Sequence, residues 1–220
     1  MTAWHYISAA PHRSLFLVGA LQGVITLLWW IIDLAGRYAI LNSVSDWSVA
    51  PIWAHAFLMT YGVFPFFILC FLFTTYPSWM SGEKVQPREY MATCLLMAVG
   101  VILFYVGMLT DKTIVMIGIA VMLAGWSIAC YVLLRIMIGA SGTDKRHAMV
   151  TSSALVMGWL GVVCYLLWLL TDHWMLLNFS RTAGIWFFLL PIVLTVSHRM
   201  IPFFSSRVLE NYVLVRPYWM

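Results

Sequence analysis

The sequence predicts an all-α integral membrane bundle of about six transmembrane helices. Three observations lead there. Of the 220 residues, 63% are hydrophobic and 9% charged, against about a quarter charged in an ordinary soluble domain, so the chain cannot cover a water-facing surface. Six apolar stretches reach the roughly 20 residues that cross ~30 Å of hydrocarbon. Finally, the chain holds 12 Trp and 10 Tyr, types that collect at membrane–water boundaries.

The stretches run near residues 14–35, 51–76, 90–109, 114–138, 148–171 and 179–197. The first is too long for a signal peptide and is followed by Asp33, Gly36 and Arg37 rather than a small-residue cleavage site, so it is expected to stay. It carries His12, Gly19, Gln22, Gly23, Thr26 and Asp33 at helical spacing, either a close-packing face with Gln22 bridging helices or a face beside a cofactor. In the second stretch His55 and Met59 stand at i and i+4, with Gly62 continuing that face. Pro65 there and Pro191 in the sixth are positions where a span can kink. Cys70, Cys94, Cys130 and Cys164 lie inside apolar runs without CxxC spacing and read as packing residues. The sixth stretch ends at Ser197-His198-Arg199, and Pro202 is expected to stop the helix. Connections are short, so successive helices should be antiparallel neighbours, and residues 1–220 read as one transmembrane helical domain.

Arg13, Lys84, Arg88, Arg135, Lys145, Arg146, Arg199, Arg207 and Arg216 fall on one side, and only Arg37, Lys112 and Arg181 on the other. This asymmetry predicts both termini in the cytoplasm. It also accounts for the net charge of +4 without a nucleic-acid partner, since the cations sit at the ends of apolar runs. His12, His147 and His198 then lie at cytoplasmic helix ends, where they could converge, with His5 nearby. His55 and His173 lie toward the outside.

An ionisable group in a membrane helix raises a functional question. Neutral imidazole suits copper and haem iron, which makes His55 and His198 ligand candidates, and Arg199 can hold an acidic group such as a haem propionate. Against this stand plainer readings: a snorkelling anchor for His198-Arg199, a solvated loop residue for His147, and interfacial positions for His5 and His173. Walker, GxSxG, HExxH and dinucleotide motifs are absent, and the eight carboxylates cluster in loops, so no reaction is readable.

Three patches of the chain resemble the NnrS family of bacterial membrane proteins. They are Ala10-Pro11-His12-Arg13-Ser14-Leu15-Phe16 with Gly19-Ala20-Leu21; Trp53 and His55 with Gly62, Phe71-Leu72-Phe73-Thr74 and Pro77-Ser78-Trp79; and His198-Arg199-Met200-Ile201-Pro202-Phe203-Phe204-Ser205. Many relatives read His-Ala-His-Glu-Met where this chain has His55-Ala56-Phe57-Leu58-Met59, so only His55 carries over. Many also place Gly-Gly before the late Arg, where Ser197-His198 stands here. Relatives are longer, and Arg216-Pro217-Tyr218-Trp219-Met220 reads as the approach to a seventh helix, so the chain resembles an N-terminal half or a half-length member.

The resemblance implies a protein of the bacterial inner membrane that binds haem b, with copper as a second metal, in nitric oxide metabolism or nitrosative-stress defence. It makes His12, His55 and His198 the expected metal ligands, Arg199 the partner of a haem carboxylate, and His147 a weaker fourth. The competing readings are a cofactor-free scaffold or assembly factor of a respiratory complex, and a small-solute transporter. Expected partners are the bilayer and a second copy or another membrane protein.

Overall fold

The computed structural model describes residues 7–38, 46–141 and 145–209. His5, Arg216 and the expected approach to a seventh helix lie outside them. Among the described residues there are no strands, and six helices are long and apolar enough to cross a membrane. They are α1 (Pro11–Arg37), α2 (Pro51–Met80), α3 (Pro87–Leu109), α4 (Lys112–Gly139), α5 (Arg146–Thr171) and α6 (Trp174–Val208). The chain is a multi-pass membrane protein.

The inside-out distribution of polarity in α1 displays the lipid solvent directly. This helix buries Ser14, Gly19, Gln22, Thr26 and Asp33 and exposes Leu17, Leu21, Leu28, Ile31 and Ile32. In water that arrangement would be unfavourable, whereas in hydrocarbon it hides the costly groups against neighbours. Gln22 Nε2 donates to Thr26 Oγ1 (3.1 Å) and to Tyr105 of α3 (3.2 Å), and Thr26 and Tyr105 share a 2.8 Å hydrogen bond. Gly19 brings α1 onto α2, since a Cβ there would stand 2.8 Å from that of Phe66. The stripe in α1 is thus a packing face.

The hairpin α3–α4 is the tightest pair. A Cβ on Gly100 would lie 2.6 Å from the Gly118 carbonyl oxygen, so the two backbones touch where both residues lack side chains. One end of this hairpin is closed by Asp111, whose carboxylate accepts from Thr113 N at 2.7 Å and caps α4. Hydrogen bonds from the Thr113 side chain and backbone hold that carboxyl below its usual range. At the other end Glu89 accepts two bonds from Arg135, at 2.7 and 3.2 Å.

The proline positions act differently from a simple kink or stop. Residues Leu58–Val63, just before Pro65, and Ala183–Leu189, just before Pro191, form π-helical turns. Proline cannot donate to the carbonyl four residues back, and a widened turn accommodates the mismatch. The sixth helix begins at Trp174, earlier than its apolar run, and continues through Pro202 to Val208. The expected stop at Pro202 is corrected: the missing N–H costs one intrahelical bond, which this helix end tolerates.

Candidate functional site

At the face where α1 begins, the ends of α2, α5 and α6 meet in a closed ring of contacts. Tyr76 of α2 donates to the Ala148 carbonyl oxygen of α5 at 2.9 Å and shares a 2.6 Å hydrogen bond with Ser152. His147 of α5 meets His198 of α6, Nε2 to Nδ1 at 3.1 Å, with the rings 25° apart in plane. Arg199 of α6 returns to α2, its Cζ 4.9 Å from the ring centre of Trp79. The motifs Pro77-Ser78-Trp79 and His198-Arg199, distant in sequence, thereby become one place.

Helical periodicity explains why the two imidazoles meet. Buried positions on α5 run Thr151, Leu155, Gly158, Val162, Tyr165 and Leu169, and His147 continues that stripe one turn earlier. On α6 Phe188, Ile192 and Thr195 are buried, and His198 lies one turn beyond. Each histidine is the last residue of a packed face. His147 is only 9% exposed, although Lys145 and Arg146 beside it suggest a solvated loop. The signal in the sequence is this stripe, which runs back from Tyr165 to His147.

Two clefts flank the end of α6. One of about 440 Å³ opens between α2 and α6 over Ser78, Trp79, Arg199 and Phe203. The other, about 370 Å³, lies between α5 and α6 beside His147, Val150, Pro191 and Leu194. Both volumes fall within the ordinary range of ligand pockets, about 300–1,000 Å³.

The other expected ligands stand apart from this pair. His12, in the first turn of α1, is exposed. His55 is near the opposite end of the bundle, stacked on Trp30 with ring centres 4.1 Å apart and planes 13° apart. Beside it Arg37 pairs with buried Asp33 at 2.6 Å, and the same carboxylate accepts from Trp47 Nε1 at 3.0 Å. His173 is exposed, and all four cysteines are free.

The geometry restricts which metal groups suit the imidazole pair. Nitrogen–metal bonds are about 2.0 Å, so nitrogens 3.1 Å apart cannot lie on opposite sides of one ion. They are hydrogen-bonded to each other. Among the described residues no three His, Cys, Asp or Glu side chains gather into a metal cage. Haem brings four nitrogens of its own and asks the protein for as few as one. The Nε2 of His198 and the Nδ1 of His55 are each buried with no hydrogen-bond partner among the described residues.

No curated protein and no solved structure matches this chain at a significant level. The three patches that resemble one family nonetheless extend across most of it, and two of them meet at Arg199 and Trp79. A family model described as NnrS protein matches residues 6–220, and the chain therefore belongs to the NnrS family.

Proposed function

We propose that this protein binds haem b at the His147–His198 end of the bundle and serves nitric oxide metabolism or nitrosative-stress defence. It would do so in a bacterial inner membrane, with that end in the cytoplasm as the Lys/Arg asymmetry directs. Family membership supports the physiological role, and the state of His198 supports the cofactor.

That state is the observation that carries the reading. A metal-ligating histidine usually donates its second ring N–H to a neighbouring acceptor, which fixes the tautomer and turns the ring. The two rings share one hydrogen bond, His147 Nε2 to His198 Nδ1 at 3.1 Å; in the tautomer in which His198 Nδ1 donates, the Nε2 of His198 keeps its lone pair, buried and without another partner among the described residues. His198 is then the iron ligand, His147 the residue that positions it, and Arg199 the cation for a haem carboxylate. Haem iron held by one protein nitrogen would supply an open position for a diatomic ligand. Copper, the second metal, has His55 and His12 as its separate candidates, each offering a single imidazole.

The test is haem and metal content of detergent-purified protein. His198→Ala is expected to lose nearly all haem absorbance, while His55→Ala and His12→Ala retain it and lower only copper. Full haem retention in His198→Ala would refute the assignment. Colourless, metal-free wild-type protein from haem-replete cells would favour the scaffold reading instead.

A further inference from the structure

The helix α6 is held unequally along its length. Before Leu190 it is built into the bundle, burying Leu177, Ser180, Ala183, Gly184 and Phe188. A Cβ on Gly184 would stand 2.5 Å from Thr60 Cγ2 of α2, and one on Gly158 of α5 would stand 2.8 Å from the Phe188 ring. Tyr61 of α2 donates to the Ser180 carbonyl oxygen at 2.6 Å. A segment interlocked at that density has little room to shift.

From Leu190 to Val208 the helix runs 19 residues, of which Ile192 and Thr195 alone are buried. Clefts of about 440 Å³ and 370 Å³ lie along its two sides, so this segment stands off from α2 and from α5. Those two walls are tied to each other, because Tyr76 of α2 donates to the Ala148 carbonyl oxygen of α5 at 2.9 Å and meets the Ser152 hydroxyl at 2.6 Å. The contacts near the end of the segment include His198 with His147 and Arg199 with Trp79, both between side-chain tips.

The backbone is weakest where the two segments join. Pro191 offers no N–H to the Phe187 carbonyl, and Ala183–Leu189 just before it form a π-helical turn. Thr195 Oγ1 donates back to the Pro191 carbonyl oxygen at 2.6 Å, a bond that bends helices. Prolines and π-turns are where helices kink, and a hinge needs only a few residues that absorb dihedral change.

We propose that Leu190–Val208 is a swinging arm that pivots at the π-helical turn and Pro191, trading the width of one cleft for that of the other. Motion toward α2 narrows the cleft over Trp79 and parts His198 from His147; motion toward α5 widens that cleft again. Ile201 lies ten residues past Pro191, roughly 15 Å along the axis. A change of about 20° in the bend, enough to count as a kink, moves it about 5 Å. The proposal rests on packing and backbone geometry and stands whether or not haem is the occupant.

Pulsed dipolar EPR on the full chain in lipid nanodiscs tests it. Spin labels attached through ketone-bearing residues leave the four cysteines in place. Two exposed pairs span the same helices, α4 and α6: Ile138 with Ile201 across the arm, and Ile117 with Ile185 across the interlocked segment. Label flexibility is common to both, so the Ile138–Ile201 distribution is expected to be about 5 Å wider than the other, or split in two. Pro191→Ala, which restores the missing N–H, should narrow it toward the control pair. Equal widths in the two wild-type pairs would overturn the proposal, and that comparison suffices if Pro191→Ala does not fold. So would a wide distribution that Pro191→Ala leaves unchanged.

Discussion

His55 and His198 occupy opposite ends of the bundle and are held in opposite ways. The His55 ring is held through its face, flat on Trp30. Stacking fixes the plane but leaves the tautomer open, and its buried Nδ1 has no hydrogen-bond partner among the described residues. The His198 ring is held through an edge, by the hydrogen bond to His147, which occupies Nδ1 and leaves the buried Nε2 as the remaining nitrogen. A ligand position depends on that commitment more than on the presence of an imidazole. Charged groups lie near both. Near His55 the buried Asp33 pairs with Arg37, and beside His198 Arg199 lies over the ring of Trp79 and lines a cleft.

If the His55 end is held by its own internal pairing, breaking that pairing should harm the fold and spare the cofactor. Arg37→Ala leaves the Asp33 carboxylate, 1% exposed, with Trp47 as its remaining hydrogen-bond donor. Removing one partner of a fully buried pair costs about 3–5 kcal/mol. Arg37 is 40% exposed, so about 1–3 kcal/mol is expected, read from unfolding in detergent with haem content unchanged. Equal loss of haem would show that the two ends are coupled and break the comparison.

His147→Ala sharpens it from the other side. Loss of a residue that orients a metal-bound histidine typically lowers metal affinity about 10–100-fold. The variant should lose haem to a competing apo-acceptor correspondingly faster than wild type. His147→Gln, whose side-chain amide can still accept from His198, should recover part of the affinity. A purely structural role for His147 would instead lower Tm in both variants and leave haem transfer unchanged.

Trp30→Leu has a smaller expected effect. It keeps an apolar side chain on α1 while removing the platform beneath His55 and the cation–π contact with Arg37 at 5.2 Å. Stacked aromatic pairs contribute about 0.5–1.5 kcal/mol beyond their buried area, so a loss in that range is expected, with the haem band intact. A change in copper content in this variant would make His55 a ligand held by its platform.

The bundle was legible because its signal is collective: twenty apolar residues in a row leave little alternative in a 30 Å slab, and all six expected spans overlap observed helices. The candidate site was legible only in part, because it depends on rotation about helix axes. His198 and Arg199 stand out beside a proline at the end of a span. His147 stands out less, as a weaker candidate, since Lys145 and Arg146 mask a position that one turn of helix carries inward. Pro202 marks a helix end only if its missing N–H is weighed alone; the helix continues through it to Val208.

The mildest perturbation lies in the hydrocarbon interior between the two ends, and it sets the baseline for the others. Tyr105→Phe removes one hydroxyl from the cluster with Gln22 and Thr26. Gln22 still donates to Thr26 at 3.1 Å, so the buried groups left behind keep a partner. Hydrogen bonds between membrane helices contribute about 0.6 kcal/mol on average and reach about 1.7. A loss in that range, with haem content unchanged, is what a purely cohesive contact between α1 and α3 requires. A larger loss, or any shift in haem content, would mean that the packing stripe of α1 senses one of the two ends. The separation between them would then be a property of distance alone, and not of the forces that hold each end.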